Sequence, residues 1–104
     1  MSTVRDWKFS DPPRFDAAEY LADPQARAAY LAAALEEGDP AEIRRALGTV
    51  ARAIGMTTLA ETAGLGRESL YKALGDTGNP EFATVLKLLH AMGLRLSVVA
   101  ATGE

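Results

Sequence analysis

Apolar residues recur along this chain with a helical period over most of its length. From Pro24 to Glu37 the apolar positions Ala28, Leu31, Ala32 and Leu35 mark one stripe, the 3, 4, 7 spacing of a helix with one buried face. The pattern restarts at once: Ile43, Leu47, Val50, Ala51 and Ile54 mark a second helix from Pro40 to about Ile54. Both carry the same start signal, Asp23-Pro24 and Asp39-Pro40, an N-cap carboxylate followed by a proline where the missing N–H costs nothing. Both stop at a glycine, Gly38 and Gly55. The residues after the two Asp-Pro pairs do not match, so the pair is a recurring device and not an internal repeat. Gly48, inside the second helix, predicts a close helix contact, since glycine there otherwise costs up to about 1 kcal/mol.

The stretch from 56 to 75, MTTLAETAGLGRESLYKALG, breaks this rhythm into two short helices and organises the rest. Ala60 gives the small contact that two steeply crossing helices need, and Gly64 gives a left-handed corner between them. Leu59, Ala63, Leu65, Leu70 and Ala73 point to a shared inner face. Arg67, Glu68, Ser69, Tyr71 and Lys72 are left outside on the second helix. Such side chains reach base edges and phosphates from a helix lying in a major groove. Gly75 to Gly78 then predict a turn, and Asn79-Pro80 the cap of a last helix lined by Phe82, Val85, Leu86, Leu89 and Met92 and ended by Gly93. After Gly93 the period drops to two. Leu94, Leu96 and Val98 alternate with Arg95, Ser97 and Val99, which predicts a half-buried strand over 94–99. A strand needs a partner, either the N-terminal arm or the same segment of a second copy, and a dimer interface is the favoured reading.

Upstream, residues 1–15 read as an arm: Trp7, Phe9 and Phe15 stand among charges, and Pro12 and Pro13 stop any helix. The alternation from Thr3 to Phe9 allows a short strand, and a free terminus fits equally. The aromatics suit either a cover for the core or a contact with a protein partner. Asp16 has the character of an N-cap for a short helix through Leu21. Residues 16–104 make one domain, and 104 residues suffice for a modest core.

Composition narrows the chemistry. There is no cysteine and one histidine, His90, so disulfides, thiolate metal sites and histidine-based catalytic triads lack their parts. The expectations are no cofactor, no metal and no enzyme. No apolar run approaches a membrane span and the start has no signal-peptide core, so no membrane partner is expected and a cytoplasmic location is. The net charge of −3 opposes bulk attraction to nucleic acid. DNA binding would need a locally basic face and two copies acting together, while the acidic surplus suits a basic protein partner.

Three stretches, FDAAEYL, ALEEGDPAEIRRALGTVARAIGM and LGRESLYKAL followed by GNPEFATVLKLLHAMGLRLSV, give the chain a resemblance to the addiction-module antidote family. These are antitoxins of HigA type within the lambda-repressor-like helix-turn-helix group, and the resemblance covers residues 15 to 99. It implies an all-α, lambda-repressor-like helical bundle with a helix-turn-helix, to which the chain's own pattern adds the short C-terminal β-strand. It also implies a homodimeric repressor that binds the operator DNA of its own operon and neutralises a toxin of RelE-like fold, usually a ribonuclease. Carried over by position, the DNA contacts are Arg67, Glu68, Ser69, Tyr71 and Lys72. Thr57 and Thr58 at the first motif helix, and Asn79 at the next helix start, would meet phosphate through helix N-termini. Gly66 departs from the serine usual in the family and removes a side-chain cap and a phosphate contact. The run from Gly55 to Leu59 is shorter than in the wider group and has no counterpart to its glutamine contact.

Each residue has a plainer role beside this one. Glu68 and Lys72 have the spacing of a solvated ion pair, Tyr71 could pack on the following helix, and Thr57 and Thr58 could be simple N-caps. The whole chain has a second reading too, a toxin-binding interaction module without tight DNA binding.

Overall fold

The computed structural model describes residues 17–101. The N-terminal arm, its aromatic residues and the Asp16 cap lie outside the described residues. Six helices follow in order: α1 (Ala17–Tyr20), α2 (Pro24–Glu37), α3 (Pro40–Ile54), α4 (Met56–Ala63), α5 (Arg67–Leu74) and α6 (Phe82–Ala91). The all-α class expected from the periodicity is what forms.

The long helices begin and end on local chemistry. The Asp23 carboxylate accepts from the Gln25 amide at 3.3 Å and that of Asp39 from the Ala41 amide at 3.1 Å, each satisfying an amide that has no partner within its helix. Gly38 closes α2 in the left-handed region at φ 78° and donates to Ala34 O. Gly55, at φ 110°, closes α3 by donating to Ala51 O. Exposed Arg45 is bonded to Glu42 one turn back, and this hydrogen bond raises the guanidinium pKa above its ordinary value.

Helix α3 is the centre of the bundle. It packs against α1, α2, α4 and α5, and α4 packs in turn against α5 and α6. Its buried residues, Ala46, Leu47, Val50 and Ala51, meet Leu21, Leu31, Leu59, Leu70, Leu88 and Met92 in one core. Two arginines join distant segments to this body. Arg27 of α2 donates to Leu21 O at 2.7 Å, Met92 O at 2.8 Å and Ala22 O at 3.2 Å, tying both ends of the bundle to α2. Arg44 of α3 donates to Asp76 O at 2.9 Å and Gly78 O at 3.3 Å.

Several expectations are corrected. No strand forms over 94–99: among the described residues every regular element is helical, so the alternating segment has no extended neighbour with which to share a ladder. Leu94 caps α6 by donating to Leu89 O at 2.8 Å, and the chain then runs without regular structure. In α2 the stripe is rotated. Leu31 is buried, but Ala28, Ala32 and Leu35 are exposed, and Arg27, Tyr30 and Ala34 occupy the half-buried positions instead. Asn79 is not the cap of α6, which starts at Phe82 with Glu81 at the N-cap position and no side-chain cap bond. Phe82, expected inside, is 65 % exposed, while Leu88 takes the buried position. Gly48 is buried, yet a Cβ there would meet only the Arg52 guanidinium of its own helix, at 3.3 Å, so no second helix requires the glycine.

Candidate nucleic-acid interface

The corner between α4 and α5 forms as its small residues suggest. Ala60 is buried against the core, and Gly64 sits at φ 72° in the left-handed region with its N–H directed to Ala60 O and Glu61 O. Leu65 also donates to Ala60 O, at 2.9 Å, so the corner satisfies carbonyls that the end of α4 leaves over. A Cβ on Gly64 would meet nothing within 4 Å. Conformation, not space, calls for glycine at this corner.

Leu70 and Leu74 anchor α5 in the core, which turns Arg67, Glu68, Ser69, Tyr71 and Lys72 to solvent. These five side chains share the exposed side of one short helix. The Arg67 guanidinium carbon lies 5.3 Å from the centre of the Tyr71 ring, a cation–π contact across one turn. Tyr71 remains 48 % exposed, so its ring supports Arg67 at the surface. Among the described residues Glu68 and Lys72 form no ion pair, and both are free to meet a ligand.

A cleft of mixed polar and apolar lining continues this face beyond α5. It has a volume of about 470 Å³, and its walls include Ser69, Lys72 and Ala73 from α5, Thr77, Asn79, Pro80 and Glu81 from the following loop, and Thr84 from α6. Thus Ser69, Lys72 and Asn79 come together although Asn79 caps no helix. Thr57 and Thr58 are exposed on the first turn of α4 and do not line this cleft. Neither caps its helix: Gly55 occupies that position, and the Thr58 carbonyl accepts from the Thr62 hydroxyl at 2.9 Å. Gly66 at the head of α5 likewise supplies no side-chain cap.

The loop of this cleft is held in two ways. At Gly78 the backbone passes so close to the end of α5 that a Cβ would stand 2.1 Å from Ala73 O and 2.5 Å from Lys72 O. From the other side Arg44 of α3 binds the Asp76 and Gly78 carbonyls. Thr77 has a local signal in the small polar run around Gly78, whereas Arg44 of α3 and Thr84 of α6 have none in the sequence and join this loop only through the fold.

The profile of a family described as probable addiction module antidote proteins matches residues 12–100. This chain belongs to that family. An uncharacterized protein of Haemophilus influenzae is 46 % identical over 84 residues, covering 81 % of this chain and 87 % of its own length. No solved structure matches the chain. Membership in the antidote family supports an antitoxin role and implies a toxin as partner. Among the described residues of this antidote protein, no helix is long and apolar enough to cross a membrane.

Proposed function

We propose that this antidote protein represses its own operon by reading operator DNA through α5 and neutralises a ribonuclease toxin of RelE-like fold. In this reading α4 and α5 act as a helix-turn-helix of the lambda-repressor-like, HigA-type group, in the cytoplasm. The observation that carries it is the outward face of α5, where five polar or charged side chains stand clear of the core and two of them, Ser69 and Lys72, line the adjoining cleft.

Arg67, steadied by Tyr71, is suited to a bidentate contact with a guanine, worth about 1 to 3 kcal/mol of discrimination. Lys72 and the cleft hydroxyls suit phosphates, and Glu68 can accept from a cytosine amino group. Thr57 and Thr58 stand where the uncapped amides of α4 begin, and Asn79 stands at the cleft wall. Two copies would place their α5 helices in successive major grooves roughly 34 to 36 Å apart. The pairing compensates for the weak electrostatic attraction of an acidic chain.

Mobility shift with the DNA upstream of its own operon tests this. The full chain is expected to retard that DNA, and the Arg67→Ala, Lys72→Ala double variant to lose affinity by a factor of 10 or more, from about 1 kcal/mol or more per base contact plus one phosphate. Retained binding in the double variant would remove α5 as the reading helix. A second reading, a toxin-binding module without tight DNA binding, is favoured by the net charge of −3 and by the glycine at the head of α5. It predicts no shift with the wild-type chain while toxin neutralisation persists.

A further inference from the structure

The loop between α5 and α6 is a thin partition. Gly78, Asn79 and Pro80 border the cleft beside α5 on one side, and on the other a second cleft of about 210 Å³ whose wall includes Pro40, Ile43 and Arg44 of α3. Toward α5 the loop has no room to move, since Gly78 already stands against the Ala73 and Lys72 carbonyls. Toward α3 there is a gap. Among the described residues the side-chain hydrogen bonds across it come from half-buried Arg44, whose two guanidinium nitrogens donate to Asp76 O at 2.9 Å and Gly78 O at 3.3 Å. Those carbonyls belong to the residues on either side of Thr77, and the second comes just before Asn79. The fork therefore fixes the backbone from which both exposed side chains leave.

Position matters in the cleft beside α5 because its charge does not attract an anion. Lys72 and Glu81 are its charged residues, and they offset each other. A phosphate oxygen at this wall must be held by directed donors, and a hydrogen bond weakens steeply as its donor turns away. Ser69 and Lys72 are carried by α5 and Thr84 by α6, which the core holds in place. The Thr77 hydroxyl and the Asn79 amide depend on the loop.

We propose that Arg44 is a positioning residue for DNA binding: it touches no nucleic acid itself, and it holds the loop so that Thr77 and Asn79 meet a backbone phosphate beside Lys72. The role rests on the DNA reading above and adds to it a residue of α3, on the far side of the loop from α5.

Amide exchange tests the hold without DNA. The Gly78 N–H donates to Gly75 O at 2.9 Å, and in Arg44→Ala its exchange is expected to quicken about tenfold or more, with that of Val50 in α3 unchanged. No change at Gly78, or an equal change at both, would overturn the proposal. Mobility shift with the DNA upstream of the operon then tests the role. Arg44→Ala should weaken binding about tenfold in the wild-type background and less than about twofold in a Thr77→Ala, Asn79→Ala background, because Arg44 acts only through those side chains. The slope of log affinity against log salt should match that of the wild type, as no neutralised phosphate is lost. An equal loss in both backgrounds means a general structural role, and a slope reduced by about one means that Arg44 meets a phosphate itself. Either result sinks the proposal. A wild-type chain that retards no DNA removes the DNA reading and this role with it, whereas wild-type binding without the coupling removes this role alone.

Discussion

Helices α2 and α3 start alike, each with an aspartate carboxylate on the amide two residues ahead and a proline in the first turn, and they differ in how they are held. Helix α3 is fixed by burial: five of its residues, including Leu47 and Val50, are inside the core. Helix α2 buries only Leu31, and its alanines at 28, 29, 32 and 33 face solvent. What α2 lacks in apolar contact Arg27 supplies, through three carbonyls taken from the two ends of the bundle. A start signal thus fixes where a helix begins and says nothing about the forces that attach it. One helix is a hydrophobic axle and the other is clamped on by a polar hand.

Four substitutions test this contrast. Leu47→Ala empties a site that is 3 % exposed at the centre of the bundle, and should cost about 2 to 5 kcal/mol in denaturant unfolding. A loss under about 1 kcal/mol would mean that α3 is not the axis of the core. Arg27→Ala should cost about 2 to 3 kcal/mol, because the part-buried carbonyls of Leu21 and Met92 and the exposed one of Ala22 lose a charged donor together. If its cost is no greater than that of a surface change, the clamp does not hold α2. Asp23→Ala and Asp39→Ala should each cost about 1 kcal/mol, or roughly 4 to 8 °C in melting temperature for a domain of this size. Equal losses would confirm that the two starts are the same device. A much larger loss at Asp39 would show that capping and central packing are coupled.

Features set by a few neighbouring residues were legible in the sequence. The Asp-Pro starts, the glycine stops at 38 and 55, and the corner at Gly64 each rest on a local need, a spare amide or a positive φ. The outward face of α5 was legible for a related reason: with Leu70 and Leu74 inside, the remaining positions of a two-turn helix have only one way to point. The failures all depended on distant partners. Alternation at 94–99 states that a segment is able to form a strand, but a ladder needs a second extended segment, and the described neighbours are helices. The face that α2 turns inward includes Arg27, bonded to Met92 O 65 residues away, and no window on α2 contains that bond. Asn79-Pro80 has the chemistry of a helix start, yet Gly78 is committed to the end of α5 and the chain travels to Glu81 before α6 can begin. The cleft beside α5 was hidden for the same reason, since Thr77 and Thr84 join Ser69 and Lys72 only through that detour.

Gly78 also has a consequence for how this protein can vary. A glycine chosen for its dihedral angles can often yield to asparagine at modest cost, as the open space around Gly64 would permit. At Gly78 the obstacle is two main-chain oxygens, which no rotamer or flexible neighbour can move aside. Any codon change that replaces this residue adds a β-carbon and meets the same obstacle. The flanking codons for Thr77 and Asn79 specify exposed side chains and meet none. Mutation at this turn is therefore channelled: the hinge of the loop is closed to drift, while the side chains it presents remain open to change.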